Sequence, residues 1–236
     1  MKAVRRCGGA GVRWCGVVLV LLVAVPAVAQ TPQSPSIGRF EVDAGGGWLG
    51  GAHLGSRDAN LRAPAAAPAT LRLFSVDSRF AASPTVHLKA GVAFSRRLSV
   101  EAGVTLSHPE LRASVTNDAE AAPPITIAER IDQYSVDASV IVMIGELALG
   151  TRTLPFAAAG AGYLRQLHEG RTVVEEGHVF HAGGGIKHWL MARDQGFISG
   201  AGLRVDARLY LMSGGIAFED DPRPHGAVSG SVFLTF

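Results

Sequence analysis

The chain has 236 residues and contains little cysteine, little charge and few long hydrophobic runs. Its two cysteines, Cys7 and Cys15, both lie in the first 29 residues, so a chain cleaved after them would have no disulfide and no thiol chemistry. Charged residues make up 18% of the sequence, and no basic field outside the leading segment favours nucleic acid as a partner. No later stretch reaches the roughly 18 apolar residues that indicate a membrane-spanning helix.

Residues 1–29 predict a secretory signal peptide. A basic segment precedes an apolar run over residues 17–25, and Ala27-Val28-Ala29 is a small-residue cleavage site. The alternative, a transmembrane anchor, needs roughly 20 apolar residues, and Pro26 ends this run before that length. We therefore expect export through the Sec machinery, a short N-terminal segment over residues 30–37, and a single domain over residues 38–236.

The rest of the chain alternates with the period of two that is typical of β-strands. The clearest segment is residues 86–94, where even-numbered positions are apolar and odd-numbered positions carry His87, Lys89 and two small residues. Similar segments recur along the chain. The eight candidate strands are residues 40–48, 86–94, 99–106, 134–142, 156–165, 180–190, 203–211 and 228–236.

The connections between these strands alternate in length. Short ones lie near residues 96–97, 145–151 and 192–196. Longer ones run roughly through residues 52–82, 109–130, 167–176 and 218–225, and we expect the first, which is rich in Ala and Pro, to be mobile. Short turns at one end and long loops at the other are typical of outer-membrane barrels. The sequence therefore predicts an all-β fold, an eight-stranded antiparallel up-and-down transmembrane β-barrel.

The polar faces of the candidate strands hold few charges and many glycines, which favours a narrow lumen over a solvated surface. A soluble periplasmic barrel, the alternative, needs charged outer faces, whereas a membrane barrel has an apolar exterior and tolerates charge inside. Eight strands enclose only enough space for side chains, so charges inside must pair. The predicted lumen network is Lys89, Glu101, Asp137, Lys187, Arg204, Asp206 and Arg208, and the small lumen residues are Gly45, Gly47, Gly91, Gly103, Gly183 and Gly185.

The last strand ends on an aromatic residue. Val232, Leu234 and Phe236 stand at alternating positions, and this ending resembles the signal that is read by the machinery that assembles outer-membrane barrels. We expect these three residues to act as an assembly signal, with that machinery and outer-membrane lipid as partners. Four aromatic residues near strand ends fit either interfacial girdles or the core: Trp48, Tyr134, Phe156 and Trp189.

Three segments resemble the small outer-membrane β-barrel superfamily, of the outer-membrane protein A transmembrane-domain type. Residues 182–190 and 203–210 look like its paired late strands, a Gly-rich strand ending in aromatics followed by an Arg/Asp strand, and residues 155–163 look like its fifth strand. The resemblance implies a fold and a location in the cell outer membrane. Because the chain stops at the last strand, we expect no periplasmic peptidoglycan-binding domain.

A search for chemistry among the eight histidines predicts no catalytic residue, no cofactor and no metal. His178 and His181 are three residues apart, so they lie on opposite faces of a strand. His87 and His181 are expected to fill the lumen as polar side chains. A weak cation site is an alternative to a solvated loop where His168 and His178 flank three glutamates, Glu169, Glu175 and Glu176.

Two further clusters have suggestive residue types. Residues 107–110 (Ser-His-Pro-Glu) contain the groups of a hydrolase, but neighbours along a strand do not converge on one point. Residues 219–221 form an acidic loop tip, which is either solvated or a weak calcium ligand.

The sequence thus favours a non-enzymatic integral outer-membrane barrel with a structural or loop-presenting role and a polar, largely plugged lumen. A small porin-like channel is the first alternative, and an outer-membrane lipid-modifying enzyme is the second.

Overall fold

The computed structural model describes residues 39–62, 70–120, 122–169, 173–193, 196–216 and 222–236. The predicted signal peptide and the segment 30–37 lie outside these ranges, so both stay predictions. The described residues form strands joined by turns and one short 3₁₀ turn, Gly145–Leu147. The strands are β1 (Phe40–Leu49), β2 (Ala52–Arg62), β3 (Thr70–Phe80), β4 (Ser83–Ala93), β5 (Leu98–Ser107), β6 (Glu110–Thr116), β7 (Ile125–Arg130), β8 (Asp132–Met143), β9 (Thr153–Leu167), β10 (Val174–Ala192), β11 (Gly200–Gly214) and β12 (Arg223–Thr235).

Eight of the strands close into an antiparallel barrel in the order β1-β12-β11-β10-β9-β8-β5-β4. The predicted fold class is therefore confirmed, and each of the eight candidate segments coincides with a barrel strand. The first and last strands close the barrel in continuous register from Glu41 opposite Thr235 to Leu49 opposite Ala227. Within the described ranges, no helix has the length and hydropathy to cross a membrane.

The other four strands form a second sheet in the order β2-β3-β6-β7, which we call the loop sheet. The prediction of long loops over 52–82 and 109–130 is therefore wrong in part, because both connections are β-hairpins that pair with each other through β3 and β6. Their alternation is weak in the sequence, since polar and apolar residues mix on each strand. The Ala/Pro-rich residues 63–69, which we expect to be mobile, lie outside the described residues.

Side-chain direction follows the predicted alternation in the barrel. Even-numbered residues of β4, from Val86 to Val92, point outward, and odd-numbered residues, including His87 and Lys89, point inward. The Gly/Ala-rich strand β9, for which the sequence did not decide the facing, turns its even-numbered residues inward, among them Phe156 and Leu164.

The short turns carry residues suited to their geometry. In the β4–β5 turn, the Ser95 hydroxyl accepts hydrogen bonds from the backbone N–H groups of Arg97 (3.2 Å) and Leu98 (2.9 Å). In the β8–β9 and β10–β11 turns, Gly150 and Gly196 have φ of +76° and +117°, a region that side chains with a Cβ rarely enter. These residues therefore favour the tight turns that join barrel strands at this end.

Inward-facing glycines make space for the larger lumen side chains. A Cβ added to Gly160 would lie 2.3 Å from the carbonyl oxygen of Ala138 on β8 and 2.7 Å from two ring atoms of His181, so only glycine fits at this position. The barrel wall therefore carries no side chain at positions that face large buried polar groups.

We predict that Gly160→Val destabilises the barrel by about 1–3 kcal/mol, because its side chain must displace both the Ala138 carbonyl of the neighbouring strand and the buried His181 ring. Urea unfolding in phospholipid vesicles, followed by tryptophan fluorescence, measures this loss. Gly226→Ala is the matched control, since a Cβ there meets nothing within 4 Å, and it should change stability by only about 0.5 kcal/mol. Equal effects of the two variants would contradict the packing that we describe around His181.

Candidate functional site

A layer of paired charges crosses the middle of the barrel interior. Arg204 on β11 donates to both carboxylate oxygens of Glu101 on β5, from Nη1 to Oε2 (2.7 Å) and from Nη2 to Oε1 (3.2 Å). Its Nε donates to Asp206 Oδ2 at 2.9 Å. Arg208 bridges the same two acids, from Nη2 to Glu101 Oε1 (2.8 Å) and from Nε to Asp206 Oδ1 (3.1 Å). Each guanidinium thus hydrogen-bonds to two carboxylates.

Two more charges complete this charge layer. Lys89 Nζ lies 3.7 Å from Asp206 Oδ2, and Asp43 Oδ2 lies 3.7 Å from Arg204 Nη1. Ser231 donates to Asp43 (2.7 Å). Three cations and three anions therefore meet, so the layer is electrically balanced without a counter-ion. Burial of charge in a medium of low polarity is tolerable only with such pairing.

Asp43 is a member of the charge layer that the sequence reasoning missed. It stands on β1, which the sequence shows as a weak, Gly-rich strand without a clear polar face. The spacing of Glu41 and Asp43 by two, followed by Gly45 and Gly47 at the same parity, is the signal that would have assigned both acids to the lumen.

The remaining predicted lumen residues lie on either side of the charge layer. Lys187 donates to Glu41 and lies over the ring of Phe233, 5.4 Å from its centroid. Asp137 lies toward the long-connection end, where its Oδ1 is 3.3 Å from His181 Nε2. The structure thus brings five of the seven predicted residues into direct contact, joins Asp137 to Arg208 through Ser139, and places Lys187 beside Glu41.

The Asp137–His181 pair also contacts a serine, and the geometry differs from that of a hydrolytic triad. Ser139 Oγ and Asp137 Oδ1 both lie 3.3 Å from the same ring nitrogen, Nε2. A triad needs the hydroxyl on one ring nitrogen and the carboxylate on the other. Nδ1 of His181 has no hydrogen-bond partner among the described atoms, and the ring is fully buried. Ser139, Asp137 and His181 therefore form a buried polar cluster that lacks the geometry of a triad.

Apolar side chains fill the lumen above and below the charge layer. Toward the long-connection end, one apolar cluster consists of Leu49, Leu164, Val179 and Met212. Toward the short-turn end, two clusters lie inside the barrel, Leu154 with Trp189 and Phe233, and Ile141 with Met143, Phe156 and Ala158. The prediction of a lumen lined by polar faces is therefore incomplete, because both ends of the interior are apolar.

Two of the four aromatic residues considered for interfacial girdles belong to this interior. Phe156 lies beneath the Arg204 guanidinium, 4.7 Å from ring centroid to Cζ, and Trp189 packs edge-on against Phe233 at 5.3 Å. Of the two alternatives left open for Phe156 and Trp189, the structure therefore favours the core. Both stand at inward parity, and the cation–π and edge-on contacts stabilise them there.

Two small cavities lie beside the charge layer in the described part of the interior. One of about 40 Å³ lies on the long-connection side of the charge layer and is lined by His87, Lys89, Arg208 and Tyr210 among others. Another of about 20 Å³ lies on the opposite side, next to Glu41, Glu101 and Lys187. A water molecule needs roughly 10–15 Å³, so the two cavities hold only a few waters each. Glu101, Arg204 and Arg208 stand between them.

The outer face of the barrel is apolar and open. Large side chains stand outward along every barrel strand, among them Val86, Leu88, Val205, Leu209 and Val232. Aromatic residues mark the two ends of this band. Trp48, Tyr134 and Tyr163 point outward near the long-connection end, and Phe40, Phe94, Phe197 and Phe236 stand at the short-turn end.

The loop sheet stands on the long-connection end and is tied to the barrel. Glu129 on β7 accepts hydrogen bonds from His168 Nδ1 (2.9 Å) and from the backbone N–H of Glu169 (3.0 Å), both beyond the end of β9. At its base, an apolar cluster joins the two hairpins: Leu54, Phe80 and Ile131, with Leu111 and Ile216 against them. One face of the sheet is polar, with His53 bonded to Asp77 at 2.6 Å.

The other residues that suggested chemistry do not converge. Ser107 is buried inside the barrel, whereas His108 is exposed and lies 3.5 Å from Asp132. His178 points outward and His181 inward, as their spacing predicts. In the parts of the chain that are described, no group of three or more His, Cys, Asp or Glu side chains is arranged to hold a metal. The acidic residues 219–221 lie outside the described ranges.

No protein-family model and no curated protein sequence matches this chain. Among solved structures, it is similar to the outer membrane protein OprG from Pseudomonas aeruginosa, with 11% identity and a TM-score of 0.48, over 87% of this chain and 99% of that one. It is also similar to Ail, the attachment invasion locus protein of Yersinia pestis, with 11% identity and a TM-score of 0.35, over 85% of this chain and 100% of that one. Likenesses at these scores carry no functional argument, so the function must be inferred from this chain's own geometry.

We predict that Arg204→Gln lowers the free energy of unfolding by about 3–5 kcal/mol, because Glu101 and Asp206 lose a charged partner inside the barrel. Urea unfolding in phospholipid vesicles measures the loss. In the double variant Arg204→Gln with Glu101→Gln, the layer is balanced again, and at least half of the lost stability should return. An equal or larger loss in the double variant would show that charge balance is not what holds this layer.

Proposed function

We propose that this protein is an integral outer-membrane barrel that does not catalyse a reaction, keeps its lumen closed, and holds the loop sheet at the cell surface. The observation that carries the proposal is the inverted distribution of polarity. Arg204, Arg208 and Glu101 are buried inside, while large apolar side chains cover the outside. A soluble barrel has the opposite arrangement, because a continuous exposed apolar surface of this size aggregates in water.

The height of the apolar band fits a bilayer. On β11, outward apolar residues run from Leu203 to Leu211. At a rise of about 3.3 Å per residue this is roughly 26 Å along the strand, or roughly 20 Å across the membrane at the tilt of about 40° that such barrels adopt. Trp48 and Phe40, on β1, stand near opposite edges of the band, as interfacial aromatic residues do.

The closed lumen follows from the interior packing. Ions crossing the barrel would have to pass two apolar layers and the Glu101–Arg204 bidentate pair between them. An apolar constriction excludes hydrated ions, and opening the pair would leave charges unpaired in the barrel. The porin-like alternative therefore requires a rearrangement of three layers at once.

The loop sheet supports a role in presentation. In an outer membrane, longer connections face the outside of the cell and short turns face the periplasm. The loop sheet would then project from the surface as a folded unit, since β3 and β6 pair across the two hairpins and Glu129 binds the neighbouring loop. Folded strands offer a fixed surface to other molecules at a low entropic cost.

The last strand supports the proposed assembly route. Val232 and Leu234 point outward on β12, and Phe236 contacts Phe40 and Phe197 at the short-turn rim. An outward apolar strand end is available to the barrel assembly machinery until β1 pairs with it. We propose that the chain reaches this machinery by Sec export through the periplasm.

The two tryptophans of the predicted mature chain provide a test of the inverted polarity. Trp48 points outward and is 51% exposed, whereas Trp189 is 6% exposed inside the barrel. In vesicles of dibrominated phosphatidylcholine, the Trp189→Phe variant, which retains Trp48, should be strongly quenched. The Trp48→Phe variant, which retains Trp189, should be quenched several-fold less.

Each tryptophan variant serves as the control for the other, because both carry one Trp→Phe change and one reporter. Refolding efficiency is followed by heat-modifiable migration on a gel. Strong quenching of Trp189, or a chain that folds in water without entering lipid, would contradict the membrane placement and reverse the assignment of inside and outside.

We predict that the folded protein in planar bilayers shows no steady single-channel conductance, because apolar layers and paired charges fill its lumen. Insertion is verified on the same preparation by protease protection of the barrel. Steady conductance in the parent protein would instead favour the channel function. A change of that conductance in Arg208→Gln would then assign the path to the lumen rather than to a bilayer defect.

A further inference from the structure

Every connection at the short-turn end of the barrel carries arginine. Arg39 directly precedes β1, Arg152 lies in the β8–β9 turn, and Arg193 follows β10. The β4–β5 turn contributes Arg96 and Arg97. This set, Arg39, Arg96, Arg97, Arg152 and Arg193, is called the arginine rim below.

The topology spreads the arginine rim around the barrel. In the closed order β1-β12-β11-β10-β9-β8-β5-β4, each turn at this end joins two neighbouring strands. Arg193 therefore stands between β10 and β11, Arg152 between β8 and β9, and Arg96 between β4 and β5. Arg39 stands where β1 meets β4 and β12. The positive charges form a ring and not a single patch.

Few acids balance this ring. Glu146 lies in the β8–β9 turn and pairs with Arg97 at 3.1 Å. Glu41 is turned into the barrel, where it binds Lys187. Within the described ranges, the side chains of Arg39, Arg96, Arg152 and Arg193 have no ion pair. Asp194, beside Arg193, lies outside those ranges. The rim therefore keeps an excess of positive charge.

Exposed apolar side chains alternate with the arginines at this end. Phe94 precedes Arg96, Leu147 and Leu149 precede Arg152, and Phe197 follows Arg193. Phe197 is 84% exposed, and Phe94, Leu147 and Leu149 are each at least 60% exposed. Exposed apolar side chains that gather at one end of a protein, as Phe197 does with Phe236, mark contact with another molecule or with a membrane.

This combination matches the headgroup region of a phospholipid leaflet. Guanidinium groups bind phosphate through two parallel hydrogen bonds, and arginine lays its aliphatic stem along apolar surface while its head reaches the phosphate. The apolar neighbours reach the acyl chains below the same headgroups. An excess of positive charge further favours headgroups with a net negative charge.

We propose that the arginine rim binds anionic phospholipid headgroups of the leaflet that the short turns face, and so gathers these lipids around the barrel. The inference rests on the proposed membrane placement, which defines that leaflet. The proposal goes beyond membrane insertion, because an apolar band by itself does not distinguish charged from zwitterionic lipids.

The test measures lipid selectivity at the barrel surface by electron paramagnetic resonance. The protein is refolded into phosphatidylcholine vesicles that contain traces of spin-labelled phosphatidylglycerol or spin-labelled phosphatidylcholine. The motionally restricted fraction of each label gives their relative association with the barrel. We expect phosphatidylglycerol to be favoured by about two- to fivefold at low salt, and the preference to shrink in 1 M NaCl, where charges are screened beyond about 3 Å.

The variant Arg96→Gln with Arg152→Gln and Arg193→Gln should bring the preference close to one. The matched control removes three exposed arginines from the loop sheet, Arg79→Gln with Arg112→Gln and Arg130→Gln, and should keep the parent preference. A rim variant that retains the parent preference, or a control that loses as much, would overturn the proposal.

Two further experimental outcomes distinguish a failure of this inference from a failure of the proposed function. Failure of the parent to insert into neutral phosphatidylcholine, judged by heat-modifiable migration, would refute the membrane placement itself. Normal insertion without a preference for phosphatidylglycerol would refute the arginine rim alone. Rim-dependent sedimentation with purified peptidoglycan, in the absence of any lipid preference, would assign the ring to the cell-wall polymer and overturn the lipid proposal.

Discussion

The paired charges between Glu101, Arg204, Arg208 and Asp206 impose the main constraint on this barrel. Because charge buried in a narrow lumen is costly, each guanidinium pairs at hydrogen-bond distance with Glu101 from across the lumen and with Asp206 of its own strand. This pairing requirement joins β11 to β5 across the interior, although the two strands are not neighbours in the sheet. It also requires small residues such as Gly160 in the wall, where larger side chains would displace the polar groups.

The outer face follows from the same constraint. Once alternate residues of each strand are committed to the interior, the residues between them must face outward, and these are mostly apolar. An exterior of this kind is stable only when another apolar phase covers it. Closure of β1 on β12 removes the unpaired strand edges that such a phase does not tolerate.

Apolar side chains lie on both sides of the charge layer inside the barrel. The lumen resembles the core of a soluble protein at both ends, where Trp189 packs on Phe233 and Met212 joins Leu49. The polar groups are confined to the middle, with two small cavities beside them. The two ends of the barrel carry the surfaces on which our proposals rest, the loop sheet and the arginine rim.

The sequence by itself determined the eight barrel strands, the inward and outward faces of all of them except β9, and the inward position of five of the six charge-layer residues, since period-two alternation encodes which side of a strand a residue occupies. Only the tertiary structure decided which charges pair, because Arg204 and Glu101 are 103 positions apart and their meeting depends on barrel closure. It also placed Phe156 and Trp189 inside and paired the two long connections into one sheet. Aromatic side chains suit a membrane interface or a core equally well, so the position of Phe156 and Trp189 depended on contacts between distant segments. The strands of the loop sheet mix polar and apolar residues and alternate weakly, so their pairing depended on such contacts as well.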